Sequence, residues 1–235
     1  MNLPFPDSVN YLNKKPFPYL VIDDAFEDHK LWAVLKYWPL IHDGHDTKSK
    51  KSYTNTEERM RGYIADFIKC TFQSQKFISF LEALTGITGL VMPWHGGPAL
   101  HETFPGGALP PHLDYTIHNS TGLQHRVNAI LFLNENWKPE YNGSLQLFSH
   151  NVSYAGHLFK VEESIPPKYN RLVVFNINEN AWHGHPSPLA CPNGMSRKSI
   201  ALNYFSAPEE KAVNKRTTFS DEVGFVSRMK KKIFG

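Results

Sequence analysis

The sequence predicts an α+β fold, a double-sheet jelly roll supported by N-terminal helices. Three observations predict it. Up to about residue 90, apolar runs of helical length sit between helix caps and stops. From there on Pro, Gly and His become frequent and the apolar runs shorten to strand length. Turn-forming residues separate these later runs. Helices followed by many short strands is the order expected when the strands roll into two packed sheets.

The elements follow in order. Tyr19-Leu20-Val21-Ile22 reads as a first strand after a Pro-rich start. Asp23 or Asp24 is placed to cap a helix running to about Trp38, which Pro39 stops. Residues 42–52 are polar, with the cluster Lys48-Ser49-Lys50-Lys51, and read as a loop. Thr54 and Glu57 have capping-box spacing ahead of a helix over about 55–72. Ser74 caps another helix, which Gly86 closes. Strands are expected at 124–133, 144–148, 171–177 and 198–205, with Asn142-Gly143 as a hairpin signal. The resulting organisation is a helical support region over 1–90, a jelly-roll core over 91–210 and a basic tail over 211–235, in one domain overall.

Composition limits the function. A chain of 235 residues, 41% hydrophobic and 20% charged, holds one substantial core and is not disordered. A net charge of +3 gives no argument for nucleic acid. Cys70 and Cys191 stand far apart with no CxxC, against a zinc ribbon or a disulfide framework. The opening Met1 to Pro6 lacks the basic start and apolar stretch of a secretory signal, and no apolar run approaches a membrane span. The expected setting is therefore cytoplasmic, where the sequons at Asn119, Asn142 and Asn151 mean little. Oligomeric state is not readable.

The chemistry concentrates in three places. His112-Leu113-Asp114 puts an imidazole and a carboxylate two residues apart, on the same side of a strand. With 12 histidines in the chain, this pair alone is a weak signal. His183 follows 71 residues later, after the buried-strand run Arg171-Leu172-Val173-Val174-Phe175. Two imidazoles and a carboxylate form the facial triad of non-haem Fe(II), which leaves positions open for substrate and oxygen. His185 competes with His183, but Gly184 and Pro186 flank it and assign it to a turn. The remaining histidines, among them His101, His118 and His125, are read as packing or surface residues.

The third place is Arg197 to Phe205. Period-2 alternation puts Arg197, Ser199, Ala201 and Asn203 on one face and Ile200, Leu202 and Tyr204 on the other. An arginine at the mouth of a pocket, with a hydroxyl two residues on, suits a distal carboxylate, because its planar fork pairs with both oxygens. Lys198 should point away. Asn128, a polar residue inside the apolar run Val127 to Leu133, either contacts the co-substrate or satisfies backbone. Trp94, Tyr115 and Trp182 either line a groove or pack in the core.

Taken in order, these pieces resemble the Fe(II)/2-oxoglutarate-dependent dioxygenase superfamily, in its prolyl 4-hydroxylase-like branch. The matching stretches are His112-Leu113-Asp114, Leu131 to Trp137, Gly143 to Leu147, Arg171 to Phe175, Trp182-His183-Gly184 and Arg197 to Leu202. The opening Tyr19 to Phe26 resembles the common start of such chains. The resemblance implies a double-stranded β-helix with Fe(II) on His112, Asp114 and His183. It implies 2-oxoglutarate on Arg197, with Ser199 a helper, O2 as oxidant and ascorbate as reductant. One departure is Ser144, where the family has a second glycine after Gly143. Asp114 is retained, which disfavours the halogenating relatives. Two other readings stand beside this one: a zinc or manganese hydrolase or isomerase in a cupin-like barrel, and a non-catalytic binding module. The substrate, a small molecule or a peptide with a prolyl residue, is where the sequence stops.

Overall fold

The computed structural model describes residues 1–39, 45–46, 51–54, 60–153 and 156–220. In chain order the elements are α1 (Ser8–Asn13), β1 (Tyr19–Ile22), α2 (Asp28–Lys36), β2 (His45–Asp46), β3 (Lys51–Thr54), α3 (Gly62–Phe72), α4 (Gln75–Thr85), β4 (Pro98–Thr103) and β5 (Leu109–Leu113). Then come β6 (Gln124–Phe132), a 3-10 turn at Pro139–Tyr141, β7 (Leu145–Ser153), β8 (Gly156–Ile165), β9 (Arg171–Asn176), β10 (Trp182–His185), β11 (Arg197–Ser206) and β12 (Thr218–Phe219). The strands form a seven-stranded sheet, β1-β9-β6-β11-β4-β3-β2, and a five-stranded sheet, β12-β5-β10-β7-β8. Two antiparallel sheets rolled against each other, with the helices on one flank, make the jelly roll that the sequence predicts.

Alternation along the strands explains the layering. On β6, β9 and β11 one set of side chains (Val127, Ala129, Leu131; Leu172, Val174; Ile200, Leu202, Tyr204) faces the helices and shares one core with them. Phe72 is the hub of that core, with ring centroids of Phe26, Phe67 and Phe77 at 5.4, 5.7 and 5.1 Å. Each fully buried large apolar side chain of this kind contributes about 1.5–3 kcal/mol. The Tyr204 hydroxyl donates to the Phe72 carbonyl at 3.0 Å and the Tyr11 hydroxyl to Asn176 Oδ1 at 2.7 Å, so both tyrosine hydroxyls at the helix–sheet contact are satisfied. The opposite face of the same strands looks between the sheets. There Phe132, Val173 and Phe175 pack on Leu145, Leu147 and Ile165 in a second core.

Several expectations shift. Helix α2 starts at Asp28, and neither Asp23 nor Asp24 caps it. The Asp23 carboxylate is taken by Arg171, at 2.6 and 2.7 Å, and Asp24 has a positive φ of 52°, which breaks the helix path. Thr54 ends a strand instead of capping a helix, Glu57 lies outside the described residues, and α3 begins only at Gly62. Within the expected loop 42–52, residues 45–46 and 51–54 form short strands that extend the large sheet beyond β4. The α4 boundaries match: the Ser74 side chain accepts from the Phe77 N–H, and Gly86 takes the left-handed conformation at φ 73°. Asn142-Gly143 is not a hairpin. Its flanking strands belong to different sheets, β6 beside β9 and β11, and β7 beside β8 and β10. The two positive φ values, 60° and 79°, serve a sheet-to-sheet crossing instead. The basic segment Arg228 to Phe234 lies outside the described residues.

Candidate active site

β5 and β10 are neighbours in the small sheet, and His183 stands directly opposite His112. A bulge between His183 and His185 follows from Gly184, where a Cβ would sit 2.7 Å from the carbonyl oxygens of Leu109 and Pro110. Only glycine allows that approach. Asp114, two residues past His112, lies on the same side. His112 Nε2 is 3.6 Å from Asp114 Oδ1, and His183 Nε2 is 3.6 Å from Asp114 Oδ2. One nitrogen from each histidine and a carboxylate oxygen lie within 4.8 Å of one another, the metal-capable cluster among the described residues.

The backbone fixes both tautomers. His112 Nδ1 donates to the Pro110 carbonyl at 3.0 Å, and His183 Nδ1 donates to the Ala181 carbonyl at 2.9 Å. A carbonyl only accepts, so each Nδ1 carries the proton and each Nε2 presents a lone pair toward Asp114. Outer hydrogen bonds of this kind orient ligating histidines. Phe175 packs its edge against the His183 ring at 4.8 Å, and Phe219 covers His112 at 5.5 Å. The donor set fits a divalent metal of the non-haem iron type. Burial alone would push the Asp114 carboxyl up. The fields of His183, His112 and His125 and a hydrogen bond from Asn128 outweigh it and hold the carboxyl well below the usual range.

The triad opens on a cavity of about 380 Å³ between the sheets. Arg197, Ser199, Ala201 and Asn203 of β11 line its other wall, as the alternation predicts. Arg197 is only 4% exposed. Its Nε donates to the Gly143 carbonyl at 2.7 Å and its guanidinium lies over the Phe132 ring at 4.9 Å. No ion pair to Arg197 is found among the described residues. Burial pulls its pKa down to about 9, which leaves it a cation at neutral pH. Ser199 is buried two residues on. Thr103 stands across the strand pair from Arg197, and its buried hydroxyl has no hydrogen-bond partner. Lys198 points away, with Nζ 3.0 Å from Glu102.

Gly143 is the glycine this site needs. At φ 79° a Cβ there would meet Leu189 at 2.6 Å and Arg197 Cδ at 3.1 Å. The departure at Ser144 falls on its half-buried neighbour and leaves Gly143 in place.

Other expectations need correction. Asn128 lines the cavity, but its amide donates to Asp114 Oδ2 at 2.7 Å and accepts from His125 Nε2 at 2.8 Å, so it serves neither backbone nor co-substrate alone. His185 is the last residue of β10 and buried in the cavity wall, not in a turn; it stands outside the triad because the bulge moves it off register. Of the three aromatic candidates, Tyr115 reaches the cavity, and burial together with Asp114 pushes its pKa up to about 12. Trp182 packs in the core against His150 and Phe159, and Trp94 packs beneath Lys69. His101 and His125, read as packing residues, lie at the cavity and at Asn128. The polar position inside β6 signals only that the Asn128 amide needs partners; that His125 is one of them is set by the fold.

Comparison with known proteins follows this geometry. Residues 99–205 match the family model described as the 2OG-Fe(II) oxygenase superfamily. No curated protein matches the chain. Among solved structures, a prolyl 4-hydroxylase from Phytophthora capsici superposes with a TM-score of 0.57 at 20% identity, over 97% of this chain and 72% of that one. A prolyl hydroxylase from Trichoplax adhaerens, solved with a hypoxia inducible factor peptide, gives 0.55 at 18% identity, over 85% and 87%. HygX from Streptomyces hygroscopicus, solved with nickel, 2-oxoglutarate and hygromycin B, gives 0.60 at 10% identity, over 92% and 98%. At these identities the superpositions speak to the fold. Among the described residues no helix is long and apolar enough to cross a membrane.

Proposed function

Because this chain carries a 2OG-Fe(II) oxygenase domain over residues 99–205, we propose that it is a 2-oxoglutarate-dependent dioxygenase that hydroxylates a C–H bond, with His112, Asp114 and His183 as its metal ligands. Bound Fe(II) supplies the O2 chemistry, coupling oxidation of 2-oxoglutarate to succinate and CO2 with transfer of one oxygen atom to the substrate.

The observation that carries the reading is one cavity with the triad on one wall and, on the other, a buried Arg197 that has no acidic partner among the described residues. A buried guanidinium without a counter-charge is costly and calls for an anion. A dicarboxylic acid satisfies both ends: one carboxylate on Arg197, the other end toward the triad. Ser199, which lines the cavity, offers its hydroxyl to the Arg197-bound carboxylate. Gly143 holds the guanidinium through Nε, which turns the remaining N–H groups to the cavity. The backbone-fixed histidine tautomers keep both Nε2 atoms ready to ligate. Phe175 and Phe219 keep bulk water from the histidine rings. A hydrolase or a binding module would leave Arg197 with nothing to hold.

The substrate is a small molecule or a peptide, and a prolyl residue is the first choice because the branch resembled acts on prolyl residues. The target presents its C–H bond in the part of the cavity that the co-substrate leaves, which Tyr115 and Phe219 help to line. Ascorbate enters the proposal as the reductant that keeps the iron reduced; turnover number with and without it tests that part. The central test is succinate formation from 2-oxoglutarate in Fe(II)-loaded protein. Wild-type protein should form succinate, and His183→Ala should form none. Undiminished turnover in that variant sinks the ligand assignment, and activity on a substrate without 2-oxoglutarate sinks the class.

A further inference from the structure

Asn128 interrupts an apolar strand. Val127 and Ala129 on either side of it face the helical core, and a buried amide costs free energy unless both its ends are paired. Here both are. A carboxylate only accepts, so the nitrogen of the amide must face Asp114, as the 2.7 Å contact of Nδ2 with Oδ2 shows. The amide oxygen then faces His125, whose Nε2 at 2.8 Å must carry a proton. The His125 ring cannot turn away. Its Nδ1 lies 3.2 Å from the Tyr115 carbonyl, also an acceptor, so both contacts are hydrogen bonds only with a proton on each ring nitrogen; the ring is stacked on Phe205 at 4.9 Å, with Tyr115 at 5.3 Å on a tilted plane. His125 and Asn128 are 2% and 5% exposed, so water does not compete for these bonds.

The chain of contacts runs in one direction: Phe205 and Tyr115 hold His125, His125 holds Asn128, and Asn128 holds one oxygen of Asp114. We infer that His125 and Asn128 are a positioning relay that fixes the Asp114 carboxylate through its Oδ2 and so holds it facing the Nε2 atoms of His112 and His183. This rests on the metal reading above and goes beyond it. A histidine read from the sequence as a packing residue thereby joins the site. Loss of an outer partner of a ligating group costs about 10- to 100-fold in metal affinity.

The test uses Co(II) as a spectroscopic probe in wild-type protein and in the variants N128L, H125F and H125Q. N128L keeps the volume and removes the donor. H125F keeps the ring stack and removes the N–H. H125Q places an amide N–H near the position of Nε2. Dissociation constants and Co(II) visible bands are measured in protein shown by circular dichroism to be folded. The relay predicts N128L binding weakened about 10- to 100-fold with a shifted band. It predicts H125F weakened in the same direction and H125Q close to wild type. The double variant N128L/H125F should bind no more weakly than N128L, because the His125 contribution passes through Asn128. Wild-type affinity and an unmoved band in N128L overturn the relay while leaving the metal site standing. H125Q as weak as H125F assigns His125 a packing role and overturns its part. Wild-type protein that takes up no Co(II) overturns the metal reading, and the relay with it.

Discussion

Replacing Arg197 with Met separates binding from folding. The apo protein loses the bond from Nε to the Gly143 carbonyl, about 1–3 kcal/mol for a buried acceptor left alone, and the contact with Phe132, about 1–2 kcal/mol. It also sheds the desolvation penalty of a buried cation, several kcal/mol on the same scale. The terms offset, so the apo melting temperature should move by only a few degrees. Ligand binding behaves differently. Two charge-assisted hydrogen bonds to a carboxylate, each about 1.5–3 kcal/mol, translate into roughly 10²- to 10⁴-fold in affinity. Co-substrate at 100 times its Kd stabilises the wild type by about 2.7 kcal/mol. In a chain of this length that raises Tm by roughly 5–10 °C. The assay is thermal unfolding of Mn(II)-loaded protein with and without 2-oxoglutarate. R197M should melt near the wild-type apo temperature and show no shift on adding 2-oxoglutarate. K198M, whose side chain faces Glu102 on the other side of the strand, should keep the full shift. An undiminished shift in R197M would refute the assignment of Arg197 and the argument from its buried charge.

Further predictions concern the frame around the site. Gly143→Ala should cost about 1–3 kcal/mol by overpacking at a positive φ and raise the KM for 2-oxoglutarate by displacing Arg197; denaturant melts and steady-state kinetics check it. Asn170→Ala should cost about 3–5 kcal/mol, since its side chain pairs with both the N–H and the carbonyl of Phe26 at 2.9 and 2.8 Å; urea unfolding measures it. Asp23, held below its ordinary pKa chiefly by the hydrogen bond from Arg171, stabilises the fold above the unfolded carboxylate pKa of about 4, and that contribution disappears as pH falls through the lower folded value. Asp23→Asn should therefore destabilise by about 1–2 kcal/mol at pH 7, discounted for the exposed carboxylate, and the gap from wild type should narrow toward pH 3.

The parts of the molecule legible in the sequence share a local cause. The Ser74 and Gly86 caps depend on a few adjacent residues, and α4 lies where they put it. The alternation on β11 is enforced by burial on both faces, so its assignment from Arg197 to Tyr204 holds throughout. The illegible parts depend on distant partners. Asp23 is a good cap by type, yet Arg171, 148 residues away, claims its carboxylate. Asn142-Gly143 has hairpin chemistry, but its flanking strands are bound by different neighbours. Strand β8 lies at the edge of the small sheet, where Glu163 interrupts the apolar alternation of Phe159, Val161 and Ile165. His125 was invisible for the same reason: its role exists only where β6 brings it beside Asn128 and Asp114.

The proposed activity requires that the triad and Arg197 together hold metal and co-substrate. The most direct measurement is anaerobic titration of Fe(II)-loaded protein with 2-oxoglutarate, following the visible charge-transfer band of the chelate, then admission of O2 and quantitation of succinate. A band that saturates, then bleaches as succinate forms, is the predicted result. Folded, metal-loaded protein that gives neither band nor succinate would contradict it.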